Sequence, residues 1–119
     1  VVNIMIKISN YTLYKFCDGT SRRVLYIRLA NHQISFTKNI LANSQGQYSN
    51  QSSTNITEMS GNNYFNAPNY YSSTASGAHN DTGSYTTFDP GFANVDGGDF
   101  TLGNEELKFQ QIGDPRWIH

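Results

Sequence analysis

Tyr70 and Tyr71 stand next to Asn69, and His79, Asn80 and Asp81 follow a short way along the chain. Flat aromatic faces beside amides, an imidazole and a carboxylate suit a shallow sugar site, where rings pack on the apolar side of a pyranose and polar groups take its hydroxyls. The two tyrosines have an equally ordinary use, which is to pack their own segment onto the rest of the domain. The residues alone leave both readings open. Trp117 offers one more ring for a sugar, although a Trp beside the terminus of a capping element more often plugs the end of a core.

Catalysis on polysaccharides asks for more. A lyase needs a base to take the proton next to a carboxylate and a cation to hold the developing enolate. The cations available are Lys7, Arg22, Arg23, Arg28 and Lys38, of which Arg22 and Arg23 lie close to Asp18 as in a surface ion pair. A glycosidase needs two carboxylates at a fixed separation, to be drawn from Asp81, Asp89, Asp96, Asp99 and Asp114. Asp89 and Asp114 each precede a proline, and Asp in such a turn ordinarily bonds its own following backbone. The "DGGD" of Asp96 to Asp99 lacks the alternating oxygen ligands of a calcium loop. No catalytic residue, metal ligand or cofactor is therefore assigned. The expected site is Asn69, Tyr70, Tyr71, His79, Asn80, Asp81 and Trp117, with a polysaccharide or oligosaccharide as its partner.

Composition points the same way. The chain has 119 residues, enough for one domain, and only 14% of them are charged, with a formal net charge of −1. Its polarity comes from Asn, Ser, Thr, Gln and Tyr, which bond neutral hydroxyl-rich ligands but do little to neutralise phosphate, so nucleic acid is not an expected partner. Cys17 is the only cysteine, which excludes an intrachain disulfide and a cysteine-based zinc site. No apolar run approaches the ~18 residues of a membrane helix. The opening "VVNIMIKI" has neither an initiator Met nor the regions of a signal peptide, so the chain is expected to begin partway through a longer protein.

What must position the site is a repeat. "IKISNYTLYKF" starts at Ile6 and "ISFTKNILAN" starts 28 residues later at Ile34, with a weaker copy, "TEMSGNNYFN", another 23 residues on at Thr57. Ile6, Ile8 and Leu13 align with Ile34, Phe36 and Leu41, and with Thr57, Met59 and Tyr64; the bend column holds Asn10, Lys38 and Gly61. Each copy alternates with period two on either side of a bend, which predicts strand, bend, strand. A unit this short cannot bury its own apolar face, so copies must stack. The predicted fold is all-β, a right-handed parallel β-helix of few coils. The asparagines Asn10, Asn39, Asn43, Asn62, Asn63 and Asn66 would bond backbone groups of neighbouring copies and tolerate left-handed bends. An antiparallel β-sandwich shares the alternation, and the aligned columns favour the β-helix over it.

Residues 1–66 are assigned to the coils of a single domain, 67–87 to a long loop and 88–119 to a C-terminal cap. Within the cap, Phe92 and Phe100 centre two brief strand candidates, and "NEELKFQQIG" predicts a short α-helix with Asn104 as N-cap, stopped by Gly113 and Pro115. Leu102, Leu107, Phe109, Ile112 and Trp117 are expected to cover the apolar end of the last coil. A fully buried Trp117 ring would make Trp117→Ala cost ~3–5 kcal/mol.

After the repeats, the strings "FDPGF", "GDFTL", "NEEL" and "GDPRW" resemble the C-terminal part of secreted pectate-lyase-like β-helix proteins, in particular those of glycan-degrading, gut-type bacteria, the order of "FDPGF", "GDFTL" and "GDPRW" most specifically. The resemblance covers most of the chain and is weakest from Ala67 to Tyr85. It implies a secreted, periplasmic or cell-surface protein that handles polysaccharide, and it brings no catalytic residue with it. The expected function is a non-catalytic, carbohydrate-associated domain. A polysaccharide lyase or glycoside hydrolase fragment and a purely structural solenoid end are the alternatives. If Val2 to Ile8 is already a strand, its open edge is expected to pair with a second copy as a homodimer.

Overall fold

The computed structural model describes residues 5–15, 23–27, 31–50, 56–74 and 80–118. Val2 to Ile4, Cys17, Asp18, Arg22, Arg28 and His79, all of which carry expectations, lie outside these residues. Eight short strands are present: β1 (Met5–Ser9), β2 (Thr12–Tyr14), β3 (Arg23–Ile27), β4 (Gln33–Thr37), β5 (Ile40–Ala42), β6 (Gln47–Asn50), β7 (Ile56–Ser60) and β8 (Asn63–Phe65). They form two three-stranded parallel sheets, β1-β4-β7 and β2-β5-β8, and one two-stranded parallel sheet, β3-β6.

The register follows the sequence columns. Ile6 pairs with Ile34 and Ile34 with Thr57; Ile8, Phe36 and Met59 align; so do Leu13, Leu41 and Tyr64. Because side chains alternate across a strand, these columns face one interior, where Ile34, Phe36, Leu41, Tyr48, Met59 and Tyr64 pack with Ile6, Ile8 and Leu13 against them. The bends lie in two further columns. Asn10, Lys38 and Gly61 have φ of 60°, 55° and 66°, and Lys15, Asn43 and Asn66 have φ of 52°, 52° and 53°. Asn and Gly visit this left-handed region most easily, which accounts for four of the six positions.

The expected right-handed parallel β-helix with a terminal cap is not what these elements make. The domain is a compact, mostly-β unit of small parallel sheets, with no closed solenoid among the described residues. Two physical reasons are visible. After β8 the chain does not supply a third strand to the β3-β6 sheet; Pro68 has no N–H for a ladder bond, and Pro68–Tyr70 winds into a 3-10 helix. The C-terminal segment, for its part, does not sit over an end. It runs along the outer face of β2-β5-β8, where Leu102, Leu107 and Ile112 bury Ile40 in a second apolar cluster, with Phe92 and Ile118 against it.

This sheet is therefore covered on both faces, as parallel sheets tend to be, and Ile40, Leu41 and Ala42 are all buried. Backbone bonds tie the segment down: Gly113 N donates to Lys38 O at 2.8 Å, and Asp114 N donates to Thr12 Oγ1 at 2.9 Å. Gly113 sits at φ 98°, and a Cβ there would lie 2.7 Å from Ile40 Cδ1. The short helix does form, as α1 (Glu105–Phe109), with Asn104 Oδ1 accepting from Leu107 N at 3.0 Å. The strand candidates at Phe92 and Phe100 are replaced by a single antiparallel bridge, Asn94 to Asp99. Among the described residues no helix is long and apolar enough to cross a membrane.

Candidate functional site

Parallel pairing stacks the bend residues, and their amides then form a buried ladder. Asn39 Oδ1 accepts from Tyr11 N at 2.9 Å, Asn62 Oδ1 accepts from Asn39 N at 2.9 Å, and Asn62 Nδ2 donates to Asp81 Oδ2 at 3.1 Å. Asp81 thus ends the ladder where a further amide would stand. It is buried, and its carboxylate also accepts from the Tyr64 hydroxyl at 2.6 Å and from Gly83 N at 2.9 Å. Burial, and then the charge and hydrogen bond of Asp81, push the Tyr64 hydroxyl far above the usual tyrosine range. Asp81 is in this way an internal anchor for the long connection.

The other expected site residues near it divide between interior and surface. Tyr70 is buried and stacks on Tyr64, with centroids 5.9 Å apart. Tyr71 is half-buried and stacks at 4.8 Å on the partly exposed Tyr85. Asn69 Nδ2 donates to Gln45 O at 2.6 Å, and Asn80 bonds Ser73 twice, accepting from its N and donating to its O. Tyr70, Asn69, Asn80 and Asp81 are thus committed to holding their own segment. Beside Asn80, a shallow depression of about 290 Å³ is lined by Thr57, Glu58, Met59, Thr82 and Gly83.

Trp117 is not part of this group. It is half-buried at the other aromatic cluster, edge-on to Phe100 at 5.9 Å and beneath the Arg116 guanidinium at 5.4 Å. In that cluster Tyr14 meets Phe92 at 6.0 Å and Phe100 at 5.6 Å. Between the outer face of β2-β5-β8 and the segment from Asp89 to Val95 runs a groove of about 270 Å³. Tyr14, Asn43 and Phe65 line one wall, and Asp89, Pro90 and Phe92 the other.

The groove's polar groups are ordered by the bend column. Asn66 Nδ2 donates to Asn43 Oδ1 at 2.9 Å, and Asn43 Nδ2 donates to the Tyr14 hydroxyl at 3.3 Å. Asp89 Oδ1 accepts from Gly91 N at 2.9 Å, the turn role anticipated for an Asp before a proline. Asp114 and Asp99 are spent similarly, Asp114 on Arg116 and Asp99 on Thr101. Lys7, Ser35 and Glu58 occupy one register column on β1, β4 and β7, with Lys7 and Glu58 exposed in a solvated strip.

Sequence reasoning passed over Tyr14, Asn43, Phe65 and Phe92. A signal was present: Tyr14, Ala42 and Phe65 follow the inward column by one residue and so had to face outward. What covers them comes from a segment about 80 residues downstream of Tyr14, beyond the reach of any local pattern.

One family model, described as Domain of unknown function (DUF5123), matches residues 6–117. No curated protein and no solved structure matches.

Proposed function

The chain belongs to the DUF5123 family, whose description names no activity, and from the groove we propose that it is a non-catalytic carbohydrate-binding domain. The observation that carries the reading is the lining of that groove: the rings of Tyr14, Phe65 and Phe92 around the amide of Asn43 and the carboxylate of Asp89. Aromatic surface beside a few placed polar groups is how shallow sites hold sugars. Among the described lining residues Asp89 is the one carboxylate, whereas glycoside hydrolysis uses two. The resemblance of the terminal motifs to those of secreted polysaccharide-handling proteins supports the same reading. With that resemblance the proposal carries a secreted, periplasmic or cell-surface location.

Calorimetry of the chain against plant, algal and mucin-type glycans, run beside an absorbance assay for unsaturated products, tests it. Binding is expected without product, and Phe92→Ala should weaken it about tenfold or more, in keeping with ~1.5 kcal/mol or more for a buried aromatic contact. Absence of binding to every glycan overturns the proposal, and product formation that survives repurification replaces it with the lyase alternative.

A further inference from the structure

Tyr14, Ala42 and Phe65 occupy one register column across β2, β5 and β8. Strands in a sheet lie ~4.8 Å apart, so the wall they form is ~10 Å long and carries a large, a small and a large side chain in turn. Ala42 lies buried at the floor between the two rings, so the open part of the groove is a trough running from Tyr14 to Phe65 along the direction in which the strands stack. A linear chain fits such a trough lengthwise, whereas a single compact ligand fills only part of it.

The hydrogen-bonding groups in the trough have defined senses. The Tyr14 hydroxyl accepts from Asn43 Nδ2, which leaves its own proton to donate elsewhere. Asp89 Oδ1 is taken by Gly91 N, and among the described residues no donor reaches Oδ2. Both residues line the same groove, and a donor and an acceptor there suit hydroxyl groups, since each can both give and accept. Within the described lining the one charged residue is Asp89. Among the described residues no Lys or Arg pairs with Asp89, and the ion pairs present are Lys108 with Glu105 and Arg116 with Asp114. The nearby cation Lys15 lies 5.6 Å from the Tyr14 ring centroid, beyond the described lining.

We propose that this groove selects a linear, uncharged sugar chain lying across the three strands, with the Tyr14 hydroxyl as donor, Asp89 as acceptor, and the Asp89 charge excluding uronates. The inference rests on the carbohydrate reading above and goes beyond it in naming the ligand class and the residues that discriminate.

Calorimetry with the whole chain tests it, using neutral gluco-, xylo- and manno-oligosaccharides of one to five units beside oligogalacturonates of the same lengths. Affinity for a neutral series should climb to about three units and then level, because the wall spans ~10 Å. The matched uronates should bind about tenfold more weakly, the size of one like-charge contact across a partly solvated groove. Asp89→Asn keeps the oxygen that accepts from Gly91 N and should narrow that gap, while Tyr14→Phe keeps the ring and should weaken neutral chains several-fold. Circular dichroism of both variants checks that the fold is kept. Uronates that bind as tightly as neutral chains, or an affinity that does not depend on length, would overturn this inference while leaving a carbohydrate-binding domain standing. Failure of every sugar to bind would overturn both.

Discussion

Tyr64 places its hydroxyl against the Asp81 carboxylate inside the domain, and Tyr48 is buried in the same core. Burial raises both hydroxyls above the ordinary value of about 10. On alkaline titration the unfolded chain therefore releases these protons first, and the sign follows: stability is complete below pH ~10 and is lost as pH rises beyond it. Urea midpoints measured from pH 9 to 11 should fall accordingly, and Tyr64→Phe should flatten that fall relative to its own value at pH 9. A midpoint that stays level to pH 11 would refute the account. At this scale the sequence was half legible. Tyr70, Asn80 and Asp81 were recognisable as groups able to meet a sugar, but the same groups serve as internal fasteners, and only burial separates the two uses.

At the scale of elements, the left-handed bends are where local sequence and local structure agree least. Asn10, Asn43, Asn66 and Gly61 suit their positive φ, whereas Lys15 and Lys38 are held there by the strands on either side. A residue with a Cβ loses ~1–2 kcal/mol in this conformation, partly offset in glycine by its greater freedom when unfolded. Lys38→Gly should accordingly stabilise the domain by up to ~1 kcal/mol, and Lys38→Val should destabilise it by about 1–2 kcal/mol, a β-branched residue fitting least well. Thermal melts of the two variants give the answer, and a loss of stability in the glycine variant would show that the Lys38 side chain contributes more than its backbone loses. The strands themselves were readable because period-two alternation is a local property. The 3-10 turn at Pro68 was less so, since what it prevents is a strand in another sheet.

Over the whole molecule, two apolar clusters share the β2-β5-β8 sheet, one inside around Leu41 and Tyr64 and one outside around Ile40. The principal extents of 44 × 26 × 23 Å follow from strands stacked in one direction with the C-terminal segment laid along their side. This separates residues that the sequence grouped together. Leu107 is fully buried and Phe109 is 85% exposed, although both lie on α1. Leu107→Ala should cost ~2–5 kcal/mol, as a buried leucine does, while Phe109→Ala should stay within ~0.5 kcal/mol. Urea unfolding of the pair decides between a flanking segment and a terminal cap, because a cap over an apolar end would need both side chains. Trp117 is only half-buried, so the condition attached to a large loss on its removal is not met.

The sequence by itself determined the six strands of the aligned repeats and their register, the bends between them and the start of α1, but not β6 or the bridge that stands in place of strands at Phe92 and Phe100. The features it determined depend on residues a few places apart or on repeats that can be laid over one another, and the physics behind them is local: alternation, left-handed tolerance and capping. The tertiary structure alone decided that the sheets stay small and open, that the C-terminal segment covers the outer face of β2-β5-β8, and that a groove opens between Tyr14 and Phe92. Each of these joins residues distant in sequence, where the outcome depends on which surface offers apolar area and unpaired backbone groups to a returning segment. The Ile40 side chain, the Lys38 carbonyl and the Thr12 hydroxyl made that offer to Leu107, Ile112 and the backbone of Gly113 and Asp114. No short-range pattern in the chain records that they do.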